Sequence, residues 1–205
     1  MILLVLENKL HLTNPADLAR AEECISKQNA VELFETGHLD ELNPGTVEAL
    51  AEIHRCLFSE IYAFAGKIRT VNLAKGNFRF ASVLYLEAAL TAIEAMPQST
   101  FDEIIEKYVE MNIAHPFREG NGRSSRIWLD LMLKKELGQV VDWTRVDQED
   151  YLLAMERSPI KDLEIKQLLA AALTGEVNSR TVYQNGIDRS YEYEGFSFCR
   201  AAELG

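Results

Sequence analysis

The feature that most constrains the fold of this chain is the stretch at positions 115–133, which reads HPFREGNGRSSRIWLDLML. Its second part, at 127–133, is apolar at every position except Asp130. A helix that is apolar on nearly all sides is usually buried at the centre of its domain. The sequence therefore predicts a central core helix that is entered directly from a polar loop containing two glycines.

The loop before this helix has the properties of an anion site. Pro116 disfavours helical backbone for the residue before it, so we expect the preceding helix to end at His115. The residues at 120–122, Gly-Asn-Gly, form a turn whose successive N–H groups can surround an anion. The helix that follows presents its positive N-terminal end to the same space. Arg123 and Arg126 are three residues apart on its first turn. Two guanidinium groups beside an anion site predict a polyphosphate ligand.

Two further side chains in the loop suggest chemistry as well as binding. Glu119 would repel a polyphosphate unless a cation lay between them, and Mg2+ is usually held by one or two carboxylates together with substrate phosphates. A histidine side chain such as that of His115 suits the removal of a proton near neutral pH. The loop therefore predicts a base, a metal ligand and a phosphate cradle within twelve residues. The alternative is a glycine-rich turn that only leads into a core helix.

The segment HPFREGNGRSSR resembles the Fic family motif, HPFx[DE]GNGRxxR, and every specified position matches. The resemblance implies an all-α fold, a helical bundle around a central helix with one small β-hairpin flap. It also implies an enzyme that transfers AMP from ATP, with Mg2+, to a Tyr, Thr or Ser hydroxyl of a target protein. His115 would be the catalytic base and Glu119 the metal ligand. The nucleotide contacts that the resemblance implies are Lys75, Asn112, Gly120, Asn121, Gly122, Arg123 and Arg126.

The stretch at 66–81 carries the pattern of a β-hairpin. Ile68, Val71 and Phe80 are among its β-forming residues, and Lys75 opens a Lys-Gly-Asn turn. The Fic resemblance implies a flap over the active site, where the target protein docks by strand addition. Lys75 would then lie near the nucleotide. The alternatives are a surface hairpin without a role and a solvated turn lysine.

The tail at 190–195, SYEYEG, resembles the inhibitory pattern [ST]xxxE[GN] of many Fic proteins. Ser190 and Glu194 are four residues apart and would share one helix face, and Gly195 suits the position just after a helix. The resemblance implies an inhibitory helix at about 187–195 whose Glu194 pairs with Arg126 in a bidentate fork. The alternative is a solvated acidic helix. Tyr191 and Tyr193, on the same helix, are hypothetical self-modification sites.

Three other functions stay open. The carboxylate of Glu194 could position a water molecule and make the enzyme remove AMP instead of adding it. Phosphate transfer is the second possibility, although the death-on-curing relatives that do this have a lysine at the position of Gly122. The third is an interaction module without catalysis, which the complete set of motif residues argues against.

Composition narrows the class of protein further. The length of 205 residues suits a single domain over 1–205, and the net charge of −11 argues against a nucleic-acid surface. The apolar run at 2–6 is too short to span a membrane and has no basic region before it, so we expect no membrane association. Cys24, Cys56 and Cys199 are scattered, which predicts neither a disulfide framework nor a zinc site and fits a reducing cytoplasm. A homo-oligomer that hides the tail is compatible with the sequence.

Local signals predict several helix ends. Asn14 before Pro15 reads as an N-cap, and Thr46 can cap the helix that contains His54. Thr100 with Glu103 matches a capping box before the helix that delivers Asn112 and His115. We expect Gly138 to end the central helix, and Asp147 and Asp162 to cap two later helices. His54 is predicted to have a structural role, because no other site residue surrounds it in the sequence.

Overall fold

The computed structural model describes residues 5–75 and 78–204, and this part of the chain is mostly helical. The helices are α1 (Pro15–Glu35), α2 (His38–Glu41), α3 (Val47–Phe58), α4 (Val83–Glu94), α5 (Phe101–Ala114), α6 (Asn121–Leu137), α7 (Gln148–Arg157), α8 (Leu163–Ala171) and α9 (Arg180–Glu192). The strands form two antiparallel pairs: β1 (Ala74–Lys75) with β2 (Phe78–Arg79), and β3 (Val140–Val141) with β4 (Leu173–Thr174). The predicted helical bundle with a hairpin is confirmed, and the pair β3–β4 is an addition.

Most helix ends lie where the local signals placed them. The Asn14 side chain accepts hydrogen bonds from the first turn of α1, and Thr100 forms the predicted capping box. Gly138 ends α6 in the left-handed conformation, with a φ of 65°. One prediction was wrong, because the Asp162 side chain makes no capping hydrogen bond to α8. The region 15–35 forms a single helix of 21 residues.

Helix α6 is the central helix, as predicted. Trp128, Leu129 and Met132 are completely buried, and the helix packs against α3, α5 and α9. The indole N–H of Trp128 donates to the carbonyl oxygen of Thr46 at 3.0 Å, which satisfies its one polar atom inside the core. Within the described residues, no helix is both long enough and apolar enough to cross a bilayer.

The hairpin is shorter than the sequence suggested. The stretch 66–81 was predicted to form it, but only two residues on each side pair, Ala74 with Arg79 and Lys75 with Phe78. The predicted turn residues at 76 and 77 lie outside the described residues. Before β1 the chain runs without regular secondary structure along the end of α5, where the backbone N–H of Arg69 donates to the carbonyl oxygen of Pro116 at 2.8 Å.

The C-terminal tail is fastened to α1. The structure joins Cys24 to Cys199 in a disulfide, with 5.6 Å between their Cα atoms. The Glu23 carboxylate accepts the backbone N–H groups of residues 198 and 199, and the Lys27 ammonium donates to the carbonyl oxygen of Cys199 at 2.6 Å. The expectation of no disulfide was therefore wrong, because the two cysteines are 175 residues apart and only the fold brings them together. The cysteines accordingly lend no support to a reducing compartment.

Candidate active site

The site begins where α5 ends. His115 caps the helix in the left-handed conformation, with a φ of 50°, and its N–H donates to the carbonyl oxygen of Met111 at 3.0 Å. This conformation is uncommon for a residue other than glycine, so the surroundings must stabilise it. The imidazole stacks on the ring of Phe80, with 3.6 Å between the ring centroids. The predicted base therefore lies between the end of α5 and the strand that leaves the hairpin.

A buried arginine that the sequence analysis missed holds this junction. The guanidinium of Arg69 donates to the carbonyl oxygens of His115 and Val71 at 2.7 Å, Ala81 at 2.5 Å and Ala114 at 3.1 Å. One side chain thus ties the segment before the hairpin, the segment after it and the end of α5. Its charge also lies at the negative C-terminal end of that helix. Nothing in the local sequence distinguished Arg69 from an exposed cation in a hairpin.

The turn of the motif is shaped from inside the protein. The side chain of Asn121 accepts the N–H of Phe117 and donates to its carbonyl oxygen, both at 2.7 Å. Gly120 has a φ of 74°, and a Cβ atom there would lie 2.5 Å from the ring of Phe58. The Phe117 ring is buried and stacks on His54 at 3.9 Å. The amide of Asn121 therefore shapes the loop, and its predicted contact with phosphate stays a prediction.

His54 has the structural role that was predicted for it. Its Nδ1 accepts the N–H of Gly66, and its Nε2 donates to the carbonyl oxygen of Glu119, both at 2.8 Å. These two bonds require a neutral ring. Burial lowers the pKa of His54 to about 4, so the ring stays neutral at physiological pH. His54 thereby connects the segment before the hairpin to the metal-ligand position of the motif.

Arg123 lies among three carboxylates. Its Nη1 pairs closely with Glu22, its Nη2 lies 3.0 Å from Glu119 Oε1, and its Nε lies 3.0 Å from Glu194 Oε2. The guanidinium is buried and packs on the face of the Phe58 ring at 4.9 Å. Burial by itself would lower the pKa of Arg123, but the carboxylates hold it well above its ordinary value. Glu22, on α1 and about 100 residues away, had no sequence signal.

Arg126 contacts the same tail through different atoms. Its Nε donates to Ser190 Oγ at 2.6 Å, and its Nη2 donates to the Ser190 carbonyl oxygen at 2.9 Å and lies 3.3 Å from Glu194 Oε1. Ser190 therefore fastens the tail helix to α6. The expected bidentate fork of Glu194 on Arg126 was wrong, because Ser190 occupies that guanidinium and the carboxylate bridges Arg123 and Arg126. A Cβ atom at Gly122 would lie 3.0 Å from Glu194 Oε1.

The predicted boundaries of the tail helix need correction. Helix α9 begins at Arg180, seven residues before the expected start, and Glu194 lies in the turn that ends it. The N–H of Gly195 donates to the Glu192 carbonyl oxygen at 2.9 Å, and the N–H of Phe196 donates to that of Tyr191 at 3.1 Å. Gly195 has a φ of 86°. This is a Schellman motif with glycine in its usual place, and it directs Glu194 toward α6.

The two tail tyrosines belong to the core. The Tyr191 hydroxyl donates to Ser26 Oγ at 2.5 Å, and the Tyr193 hydroxyl donates to the carbonyl oxygen of Val146 at 3.0 Å. Both side chains are buried, and burial raises the pKa of Tyr191 to about 12. Both hydroxyls are engaged inside the protein in this conformation, and the self-modification hypothesis stays a prediction.

Glu119 has the properties of a cation ligand. Its Oε1 accepts the N–H of Gly120 at 2.9 Å and pairs with Arg123, while its Oε2 has no hydrogen-bond partner among the described residues. The side chain is 41% exposed, so a cation could reach it from solvent. The donor is a hard carboxylate oxygen beside the predicted phosphate cradle, which fits Mg2+.

The last two predicted nucleotide contacts are Asn112 and Lys75. The Asn112 amide lies on α5 and donates to the carbonyl oxygen of Tyr108 at 2.9 Å. The backbone of Lys75 belongs to β1, but its side chain lies outside what the structure describes. Both contacts stay predictions.

Comparison with known proteins shows which family this geometry resembles. Residues 44–133 match the model of the Fic/DOC family. This segment of the chain is similar to the Fic/DOC family. The matched segment contains the hairpin and the motif from His115 to Arg126, whereas Glu22 and the tail with Glu194 lie outside it.

Several proteins are similar to the chain beyond the matched segment. Protein adenylyltransferase VbhT of Bartonella schoenbuchensis is 27% identical over 94% of this chain, which spans 44% of that relative's length. Probable protein adenylyltransferase y4lH of Sinorhizobium fredii is 29% identical over 78% of this chain and 85% of its own. The crystal structure of BepC from Bartonella tribocorum with bound AMPPNP has a TM-score of 0.66 at 18% identity, covering 83% of this chain and 92% of that one. The FIC domain of Bep8 from Bartonella sp. 1-1C has a TM-score of 0.72 at 16% identity, covering 84% and 92%. The fold of the Fic domain thus extends over most of the chain.

Proposed function

We propose that this protein is a Mg-ATP-dependent protein adenylyltransferase that its own tail holds in an inhibited state. The observation that carries the proposal is the position of Glu194, whose carboxylate lies 3.0 Å from Arg123 Nε and 3.3 Å from Arg126 Nη2. A carboxylate and a phosphate compete for the same guanidinium donors. The names of the relatives VbhT and y4lH support the same activity.

The reaction follows from the arrangement of the motif. His115 takes the proton of a Tyr, Thr or Ser hydroxyl as that oxygen forms a bond to the α-phosphorus of ATP. The bond from the α-phosphorus to the bridging oxygen breaks, and pyrophosphate leaves with the electron pair. The backbone of 120–122 and the two arginines hold the phosphates. Glu119 would hold Mg2+, which when bound neutralises charge on the phosphates and the leaving group.

The tail opposes this reaction by occupying the phosphate contacts. Arg123 has a carboxylate on each of its three nitrogens, and Arg126 is shared between Ser190 and Glu194. ATP can place its outer phosphates on both guanidinium groups only if Glu194 withdraws. Each 1.4 kcal/mol by which the blocked state is favoured lowers the competent population about tenfold.

The target and the location of the protein belong to the same proposal. The target segment would dock on the hairpin at 66–81 by adding a strand to it. Because the reaction consumes ATP, we place the protein in the cytoplasm, where reduction would be expected to open the Cys24–Cys199 bond. A homo-oligomer that covers the tail is compatible with this function.

The test is intact-mass analysis of candidate target proteins after incubation with Mg-ATP and either the wild-type enzyme or Glu194→Gly. We expect a mass gain of one AMP that appears faster with the variant. A gain of one phosphate would instead support a phosphotransferase. Loss of AMP from a previously modified target, dependent on Glu194, would support the reverse reaction. If the folded variant adds AMP to no candidate and no faster than wild type, the proposal fails.

A further inference from the structure

The charge of the chain is distributed unevenly around the hairpin. The stretch 61–86 contains the basic residues Lys67, Arg69, Lys75 and Arg79 and no Asp or Glu, although the whole chain has a net charge of −11. A positively charged stretch within a protein of negative net charge creates a local electric field that attracts negatively charged groups. The surface near the catalytic histidine therefore differs electrostatically from the rest of the molecule.

The cations of this stretch do two different things. The guanidinium of Arg69 is buried and donates to four backbone carbonyl oxygens, so it offers nothing to a partner. Lys67 and Arg79 are exposed, and within residues 5–75 and 78–204 neither forms an ion pair. They are positive charges that a docking segment can reach.

Large apolar side chains lie exposed beside these cations. Leu84 is 83% exposed and Tyr85 is 71% exposed, and both lie in the first turn of α4. The residues of α4 that do reach the core are Leu86, Leu90 and Ile93. Ile68 and Val71 are also exposed, at 38% and 42%. Exposed apolar groups that cluster in this way commonly mark an interaction site.

Hydrogen bonds bring together the segments that carry these features. The Asn72 side chain accepts the N–H of Val83 at 2.9 Å, which brings the start of α4 against the segment that contains Val71. Arg69 joins that same segment to the carbonyl oxygen of His115. The segments that carry the exposed cations and the exposed apolar side chains therefore adjoin the segment that carries the proposed base.

We propose that this face recognises an extended target segment that is acidic near its acceptor hydroxyl and carries an apolar side chain. The acidic groups would contact Lys67 and Arg79, and the apolar side chain would pack on Leu84 and Tyr85. This inference rests on the proposed function and names the chemistry of its protein substrate. The competing use of Lys67 and Arg79, as contacts for the phosphates of ATP, is an outcome of the test.

The probes are three synthetic peptides of equal length with one central tyrosine. The first has Glu and Leu around the tyrosine, the second has Lys in place of Glu, and the third has Ser in place of Leu. Peptide affinity is measured by fluorescence anisotropy at low and moderate salt, and Mg-ATP affinity by calorimetry.

The full-length variants are the double variant Lys67→Glu with Arg79→Glu, and the single variant Leu84→Asp. Matched controls are Lys161→Glu, which reverses an exposed charge elsewhere, and Ile160→Asp, at a side chain that is 96% exposed.

We expect the acidic, leucine-containing peptide to bind at least about tenfold more tightly than the other two, with an affinity that falls as salt rises. Charge reversal and Leu84→Asp should each remove most of that preference, while both controls and the Mg-ATP affinity stay unchanged. Equal binding of the three peptides would overturn the inference, and so would a parallel loss of Mg-ATP affinity on charge reversal.

The same samples separate this inference from the proposed function. AMP transfer to all three peptides without preference would leave the enzyme activity standing and refute the docking surface. Selective binding of the acidic peptide without AMP transfer, even with Glu194→Gly, would leave the surface standing and refute the activity.

Discussion

Two regions hold the start of α6 in different ways. On one side, the loop at 115–120 is held by neutral hydrogen bonds and ring packing, through Asn121 and His54. On the other side, the tail meets the helix through the Glu194 carboxylate, whose partners are Arg123 and Arg126. Neutral buried bonds have no substitute partner in solvent, whereas an ion pair can exchange one anion for another. The difference indicates a fixed loop beside a replaceable contact.

The tail beyond Glu194 is held in place as firmly as the loop, unlike the replaceable contact of Glu194 with the two arginines. Even with the Cys24–Cys199 bond reduced, the hydrogen bonds of Glu23 and Lys27 hold the residues around 198 and 199 against α1. Release of the arginines therefore requires movement of the Glu194 side chain and its turn, and not detachment of the whole tail. The Glu194 side chain is 22% exposed and so touches solvent, whereas the side chains of Arg123 and Arg126 behind it are almost completely buried.

On the loop side, His115→Ala should have the largest effect. General-base removal typically costs about 10²–10⁴-fold in rate, and the side chain contributes little to the core. We expect AMP transfer to fall by that factor while Mg-ATP affinity and melting temperature stay close to wild type. The rate of AMP incorporation checks this, with His38→Ala as the control for loss of an exposed imidazole. Wild-type turnover in His115→Ala would mean that another group is the base.

Glu119→Ala should come next, because it removes the proposed metal ligand from the fixed loop. Loss of an outer-shell partner of a metal ligand typically lowers metal affinity or activity by roughly 10–100-fold. Loss of the ligand itself should cost at least as much. Titration of turnover with Mg2+ should show a raised requirement. Glu119→Gln is the matched control, since it keeps an oxygen for the N–H of Gly120 but loses the charge. If the Gln variant titrates like wild type, the carboxylate does not hold the metal.

Glu194→Gly tests the replaceable contact and should raise activity. If the two ion pairs favour the blocked state by about 1.4 kcal/mol, release gives about a tenfold gain in AMP transfer. Arg126→Ala breaks one of the same pairs but should not activate, because it also removes a phosphate contact. Glu192→Gly is the control for a lost charge and an added glycine in the same tail. Equal activation by Glu192→Gly would point to general loosening of the tail.

The last prediction concerns stability and not rate, and its subject is the buried neutral side chain of His54. The pKa of His54 is about 4 in the folded protein and about 6.5 in an unfolded chain, so the unfolded state binds more protons between these values. The contribution of His54 to stability is present above pH 6.5 and is lost as the pH falls toward 4, by an amount of order 3 kcal/mol. Urea unfolding of wild type and His54→Gln across this range should give a shallower pH slope for the variant. Parallel slopes would contradict a buried neutral histidine.

Predictions that depended on neighbouring residues succeeded best. The caps at Asn14, Thr46 and Thr100 are all present, because each is a hydrogen bond within one helical turn. The start of the tail helix was misplaced because the motif at 190–195 covers only its end, while its true N-cap, Ser179, lies in a stretch without a strong pattern. Whether a helix starts there depends on packing against α1 and α6, which local propensity does not include.

The sequence by itself determined which residues form the motif, the order of most helices and the place of Gly195 at the end of the last one. These follow from residue types at short spacing. The tertiary structure alone decided that Glu22 meets Arg123, that Glu194 bridges two arginines, that Arg69 holds the end of α5, and that Cys24 meets Cys199. Most of these contacts join residues that are tens to more than a hundred positions apart. No periodicity or cap encodes such a pairing, because it results from how the helices pack around α6.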